Sequence, residues 1–401
     1  MTQTSWESSL VPPSPGGSLN ERGWFNFGRV DRFRKYMHPG GVIGWICAGA
    51  GRIGRMPVER FMNKLPNRRE FLKGAAALGA AVGLPFGTGS AAVHSVKRFG
   101  GAHLKTALNA FSFFELLTAN AKDPSRGLEL FQLCEFCAKH DFEGVDLTGY
   151  FFPGYPGVPA DNYVFALKRR AYDLGLGISG TGVRNDFTTA DKAVRAEGVR
   201  RVQAWVEVAA KLGAPVLRVF ADSQPPHKNW QEASGHAARG DVEEWIAQAV
   251  RECAEHAKKF GVIIGVQNHA DFVSTGAQHL SLLERVGSEW CGAIVDTGKY
   301  LSADPYADIA FMAPYAVNWQ IKETPYGSAD KPRTDLKKLF TIIRQSGYRG
   351  YVPIETLAMG RKDYDPYDLV PKFLAQVREA MEATLPKRGA GWSATSGDTK
   401  S

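Results

Sequence analysis

Four short runs between residues 265 and 357 constrain this chain more than any other feature: GVQNHADF (265–272), AIVDTGKY (293–300), NWQIKE (318–323) and VPIETL (352–357). Each opens on apolar or β-prone residues that suit a strand buried on both faces, then breaks into amides, carboxylates, histidine or lysine at its C-terminal end. Polar groups placed in this way meet only where the strands lie side by side. A (β/α)8 barrel meets that condition, because the C-terminal ends of its strands form one rim around one cavity.

The rest of the body supplies the elements such a barrel needs. Strand-like segments at 104–111, 142–149, 176–183 and 214–222 precede those four. Helix-like stretches at 126–140, 160–174, 190–213, 241–260, 276–287, 303–313, 333–346 and 366–384 alternate with them. The clearest helical period lies in 190–213, where Val194, Val202, Trp205, Val206 and Ala209 recur on one face. Eight strand and helix pairs close a sheet without edges, so the expected fold is α/β, a (β/α)8 TIM barrel over 93–386. A doubly wound open sheet is the competing architecture, but no glycine-rich dinucleotide fingerprint follows any strand.

Residues 62–92 carry NRREFLK followed by GAAALGAAVGLPFGTGSAA, a basic pair ahead of a weakly apolar stretch that ends in small residues. This resembles a twin-arginine (Tat) export signal with Arg68 and Arg69 as the pair and cleavage near Ala91 or Ala92. The stretch is too short and glycine-rich for a good membrane span. The expectations are a periplasmic or secreted product, the Tat export machinery as a partner, and no stable membrane anchor after cleavage. Residues 1–61 are rich in Gly, Pro and Arg without sustained periodicity, which predicts a poorly structured extension; Met62 would open a conventional signal, so the leading segment reads as an over-called start. The Gly/Ser-rich tail, 387–401, is expected to be disordered.

The formal charge of +8 does not mark a nucleic-acid protein. Twelve of the 49 Lys+Arg and five of the 41 Asp+Glu fall in residues 1–92, leaving 37 against 36 in the remainder. The balanced body offers no basic face for nucleic acid. Cys134 and Cys137 form a C-x-x-C with His140 three residues on, open to a metal or redox reading. The helical period of LFQLCEFCAKH favours small residues on a buried helix face.

The candidate rim residues are Gln267, Asp296, Gln320 and Glu355. His269 follows Gln267 by two and Lys322 follows Gln320 by two, so strand alternation puts each pair on one face. These two, with Glu323, are candidates for acid/base work. Arg218, in the middle of LRVF, is costly to bury unpaired and is either held structurally or aimed at substrate. Asp271 and Trp319 join it as candidate substrate contacts, and Phe151, Phe152, Tyr155 and Trp230 are candidate aromatic walls of the cavity.

With these motifs in view, the body from 104 to 384 resembles the xylose isomerase-like TIM barrels. This superfamily includes sugar isomerases and epimerases, keto-inositol dehydratases, 3-keto-glycoside lyases and apurinic endonuclease relatives. The resemblance rests on FEGVDL, LRVF, QNH, VDTG, QIKE and IET at strands two and four to eight. It implies one divalent metal held at the ends of strands five to eight, usually by Glu, Asp, His and Glu. Carried over, these become Gln267, Asp296, Gln320 and Glu355, with glutamine replacing the first acid and the histidine. Two carboxylates and two amide oxygens suit Mn²⁺ or Mg²⁺ better than Zn²⁺; the other reading of the same four is a site that holds substrate by hydrogen bonds alone.

The implied activity is that of an exported sugar isomerase or epimerase working through a metal-stabilised enediolate, with Glu355 as general base. Gln267 cannot titrate, so a second base falls to His269, Glu323 or water. A keto-sugar dehydratase or lyase, or a carbohydrate-binding barrel without catalysis, are the alternatives. A DNA-repair endonuclease is disfavoured by too few histidines at the strand ends. The expected partner is a small-molecule carbohydrate, with a homo-oligomer as a further expectation.

Overall fold

In the computed structural model, which describes residues 95–269, 271–324, 332–358 and 361–386, eight strands run parallel and close on one another. They are β1 (His103–Asn109), β2 (Gly144–Asp146), β3 (Gly177–Gly182), β4 (Val216–Phe220), β5 (Ile263–Gln267), β6 (Cys291–Asp296), β7 (Ala316–Lys322) and β8 (Arg349–Glu355). Each pairs with its sequence neighbour, and β8 returns to β1 with Thr106 opposite Val352. The expected TIM barrel is therefore present. The leading extension, the export segment with Arg68 and Arg69, and the tail from 387 lie outside the described residues.

The strands stop where their sequences turn polar. Gln267, Asp296, Lys322 and Glu355 are the last residues of β5, β6, β7 and β8. The apolar burial that sustains a parallel strand ends there, and the chain leaves the sheet at the rim.

Ten helices accompany the strands among the described residues: α1 (Phe114–Lys122), α2 (Leu130–Lys139), α3 (Asp161–Asp173), α4 (Lys192–Leu212), the single turn α5 (Trp230–Ala233), α6 (Arg239–Lys258), α7 (Gly276–Val286), α8 (Pro305–Met312), α9 (Leu336–Gln345) and α10 (Pro366–Ala383). One helix was expected between β1 and β2, and two are found. Gly127, at φ 70°, makes the break: a Cβ there would fall 2.0 Å from the Leu116 carbonyl oxygen, so the chain doubles back tightly over α1.

The strongest sequence period becomes α4. Asp191 accepts from the Ala193 amide at 2.8 Å at its start, and Gly213 takes the left-handed conformation that ends it. Val202, Trp205, Val206 and Ala209 are buried in the core, but Val194, in the first turn, is 46% exposed.

The core lies between the inner faces of the helices and the outer faces of the strands. Inside the barrel, a Cβ on Gly177 would lie 1.9 Å from the Tyr351 hydroxyl, so glycine there lets the tyrosine close the lower end.

His279 on α7 is fully buried between the Val266 carbonyl, to which Nε2 donates at 3.0 Å, and the Tyr300 hydroxyl at 2.9 Å from Nδ1. Burial brings its pKa down from 6.5 to about 4, with the backbone hydrogen bond opposing. Between those values the unfolded chain binds a proton that the folded chain excludes, so the contribution is complete above pH 6.5 and is lost as pH falls towards 4. Urea titrations from pH 7 to pH 4 should show about 3 kcal/mol of stability lost through this residue. His279→Gln, less stable at pH 7, should lose that part of the slope; an unchanged slope would show that His279 does not carry it.

Candidate active site

The last residues of β5 to β8 meet at the C-terminal mouth of the barrel. Gln267 donates its amide Nε2 to Asp296 Oδ2 at 2.7 Å. The Lys322 ammonium lies between two acids, ion-paired to Glu355 Oε1 and 3.4 Å from Asp296 Oδ2. Asn109, the last residue of β1, donates Nδ2 to Glu355 Oε2 at 2.7 Å and to Gln320 Oε1 at 2.5 Å. All six side chains are buried. The structure thus brings Gln267, Asp296, Gln320, Lys322 and Glu355 together and adds Asn109.

A second cluster lies across the mouth. Arg218 from β4 donates to Asp146 Oδ2 at 3.1 Å and to the Thr148 hydroxyl at 3.0 Å. Asp222, just past β4, holds His269 through Oδ2 and Nδ1 at 2.5 Å. Between the clusters is a cavity of about 230 Å³, lined by the polar groups of Asn109, Arg218, Gln267, His269, Lys322 and Glu355. Phe111, Tyr150 and Phe220 supply apolar wall. A larger groove of about 710 Å³, lined by Asp186, Asp191, Glu197, Arg201 and His227 among others, shares Arg184 with it, but the strand-end residues of β5 and β8 face the smaller space.

Both central cations stay charged. Burial pulls the Lys322 ammonium down, yet Asp296 and Glu355 outweigh it and hold the group above its ordinary value. Burial likewise disfavours the Arg218 guanidinium, and Asp146, with Tyr150 and Glu355, raises it overall.

Whether the four positions can hold a divalent ion depends on which of their oxygens remain open. Asn109 Oδ1 accepts from the Phe111 amide, which fixes its Nδ2 towards Gln320 and Glu355, so Gln320 must present its oxygen to Asn109. Asp296 Oδ1 accepts from the Gly298 amide and Oδ2 from Gln267. Both carboxylates also face an ammonium. No group of three or more His, Cys, Asp or Glu able to hold a metal occurs among the described residues. Gln267 Oε1 alone among these oxygens takes no donor from the described residues, and with both carboxylates already shared with the Lys322 ammonium the donor set does not fit a resident divalent ion.

Several candidates lie elsewhere. Strand alternation turns Trp319 to the outside of β7. Trp319 is fully buried against Tyr348, with ring centroids 5.7 Å apart, and cannot contact a molecule in the cavity. Glu323, just past β7, is bridged by Arg333 at 2.6 Å and Arg361 at 2.9 Å and lines a small cleft with Lys322 and Glu355, so it braces the rim beside the site. Asp271 accepts from the Ser223 amide and hydroxyl and from the Trp230 amide, so it ties the loops after β4 and β5 together. Phe152 and Tyr155 pack on Trp205, and Trp230 packs on Phe272; the aromatic walls are Phe111, Tyr150 and Phe220 instead. Cys134 and Cys137 are buried free thiols on α2, and burial raises both pKa values, that of Cys134 to about 12.

Asn109, Asp146 and Asp222 escaped the sequence reading although each stands at or just past a strand's C-terminal end. The rule that found the residues of β5 to β8, applied to ALN, GVD and VFAD, marks all three.

Comparison with known proteins fits this geometry. The xylose isomerase-like TIM barrel family matches residues 134–383, and a twin-arginine translocation pathway signal matches residues 66–85. No curated protein matches the chain. Among solved structures, the D-psicose 3-epimerase of Clostridium cellulolyticum H10, crystallised with D-tagatose, is similar at a TM-score of 0.57 and 14% identity, over 69% of this chain and 99% of that one. An L-ribulose 3-epimerase gives 0.56 and 19%, over 70% and 95%. A xylose isomerase-like barrel from Mycobacterium smegmatis in complex with magnesium gives 0.51 and 16%, over 70% and 98%. At such identities the likeness is one of fold. No helix among the described residues is long and apolar enough to cross a membrane. With the family matched over more than half of its length, and the closed barrel found around the same residues, the chain belongs to the xylose isomerase-like TIM barrels.

Proposed function

We propose that this protein is an exported isomerase or epimerase of a small carbohydrate, moving a proton on a carbon next to a carbonyl. The observation that carries the reading is the pairing, in one cavity, of a carboxylate beside cations with an imidazole backed by a second carboxylate. The epimerases among the similar structures support the reaction class. The signal at 66–85 supports removal of 62–92 on export and a periplasmic or secreted barrel over 93–386.

Glu355 is the base that removes the proton. Charge then develops on the substrate oxygens, and the N–H groups of Lys322 and Arg218 stabilise it in a buried setting where such contacts are strong. Asp222 engages His269 Nδ1, leaving Nε2 as the nitrogen that exchanges a proton. His269 reaches the cavity from the β5 side and Glu355 from β8, so one group removes the proton and the other returns it on a different face. That division of labour favours epimerisation over a one-base isomerisation. The Mn²⁺ or Mg²⁺ that the family resemblance implies at Gln267, Asp296, Gln320 and Glu355 would have to share both carboxylates with the Lys322 ammonium, and no step passes through it.

Incubating the protein with ketoses and keto-glycosides in D₂O and following the carbon-bound hydrogens by NMR tests the reaction. His269→Asn should keep hydrogen exchange from one epimer while epimer formation falls by about 100-fold, the lower end for loss of an acid/base group. Conversion at the parent rate would remove His269 from the scheme. Sugar affinity without any exchange in the parent protein would favour a carbohydrate-binding barrel, the reading in which the pairing of both Asp296 and Glu355 with Lys322 is structural.

A further inference from the structure

We propose that the ammonium of Lys322 is the resident cation of this rim, joining Asp296 and Glu355 where a divalent ion would otherwise bridge them, so that the site works without metal. The strand order makes this possible. β7 lies between β6 and β8, so a long side chain at its end reaches a carboxylate on each side.

The surroundings are shaped for that side chain. A Cβ on Gly298 would lie 2.7 Å from Lys322 Cγ and 2.9 Å from the Thr324 carbonyl, so glycine there leaves the corridor that the lysine stem occupies. Each carboxylate is also finished by a neutral donor, Gln267 on Asp296 and Asn109 on Glu355. Both oxygens of each acid and the Gln320 oxygen have protein partners, and of these groups only Gln267 Oε1 has no donor among the described residues.

Charge points the same way. Arg218 and Asp146 offset each other, leaving Asp296 and Glu355 against one ammonium. A divalent ion placed there would meet the ammonium at close range with only two negative ligands to hold it. The glutamines at 267 and 320 are consistent with this, since a single positive charge needs fewer anionic partners. An ammonium carries three N–H donors. Two are directed at Glu355 and Asp296, and the third is left for a substrate oxygen. This last role rests on the proposed proton-transfer function; the occupancy of the cation position does not.

The test is binding of Mn²⁺ alone, with no sugar present. Full-length protein stripped with chelator should bind no stoichiometric Mn²⁺ at 1 mM (~1 mM corresponding to the weak end of specific binding), read from the electron paramagnetic resonance of the free ion, and its melting temperature should not change with chelator. Gln267→Glu, which adds a third carboxylate but keeps Lys322, should bind weakly. Lys322→Met/Gln267→Glu should bind one Mn²⁺ at least about 100-fold tighter than the single variant, the ~2.7 kcal/mol that such a ratio represents. Stoichiometric Mn²⁺ in the parent protein overturns the proposal, as does equal affinity in the two variants. If the double variant does not fold, the parent measurement decides alone. A failed sugar assay leaves these readings untouched.

Discussion

Glu355→Gln should lower carbon-bound hydrogen exchange by about 10³-fold, in the middle of the range for loss of a general base. The carboxamide has nearly the same shape and still accepts from Asn109, so the cavity keeps its outline while the group that takes the proton is gone. Stability will fall too, because Lys322 loses one of its two anionic partners and keeps only Asp296 at 3.4 Å. Glu355→Asp separates the two effects. It restores the charge beside Lys322 and so recovers stability, but draws the carboxylate back from the cavity and should leave exchange depressed by about 100-fold. Circular dichroism and melting curves report the first property, and deuterium incorporation by NMR the second. Exchange within tenfold of the parent protein in Glu355→Gln would remove this residue as the base.

The barrel and its rim were legible because parallel strands buried on both faces leave an unusual trace, apolar runs that stop at a polar side chain. That trace fixed β5 to β8 and the meeting of Gln267, Asp296, Gln320 and Glu355. The same period, applied more strictly, also excludes Trp319, since it alternates with Gln320 and must face the helices. What the sequence could not provide is partnership. Alternation says that Lys322 faces inward; it does not say that the flexible stem bends between two carboxylates, which depends on the space left by Gly298. Nor does it say which aromatic of GYFFPGY turns to the cavity. The 3-10 turn at Gly149–Phe151 settles that, sending Phe152 under Trp205 and Tyr150 to the wall. The export segment was legible for another reason, because its paired arginines and small-residue stretch are read as a linear pattern with no fold required.

Arg218→Met is the substitution with the largest expected effect on folding, a loss of about 3–5 kcal/mol, because it leaves a carboxylate buried without its countercharge. Arg218 and Asp146 are each 1% exposed, and the guanidinium also carries the Thr148 hydroxyl, which in turn donates to Asp146 Oδ1 at 3.2 Å. Water cannot take over these contacts. The packing was arranged around the arginine: a Cβ on Gly182 would lie 2.8 Å from its side chain, so the neighbouring strand gives up a side chain to admit it. Lysine would be a poor substitute, since its point charge cannot bond Asp146 and Thr148 through two nitrogens of one planar fork. Arg218→Met/Asp146→Asn tells a lost ion pair from lost packing. If the single variant suffers mainly from the orphaned acid, removing that acid should recover about half of the loss in guanidinium unfolding at 25 °C. A double variant as unstable as the sum of the two singles would place the cost in the emptied volume, and Arg218 would then be a packing residue that happens to be charged.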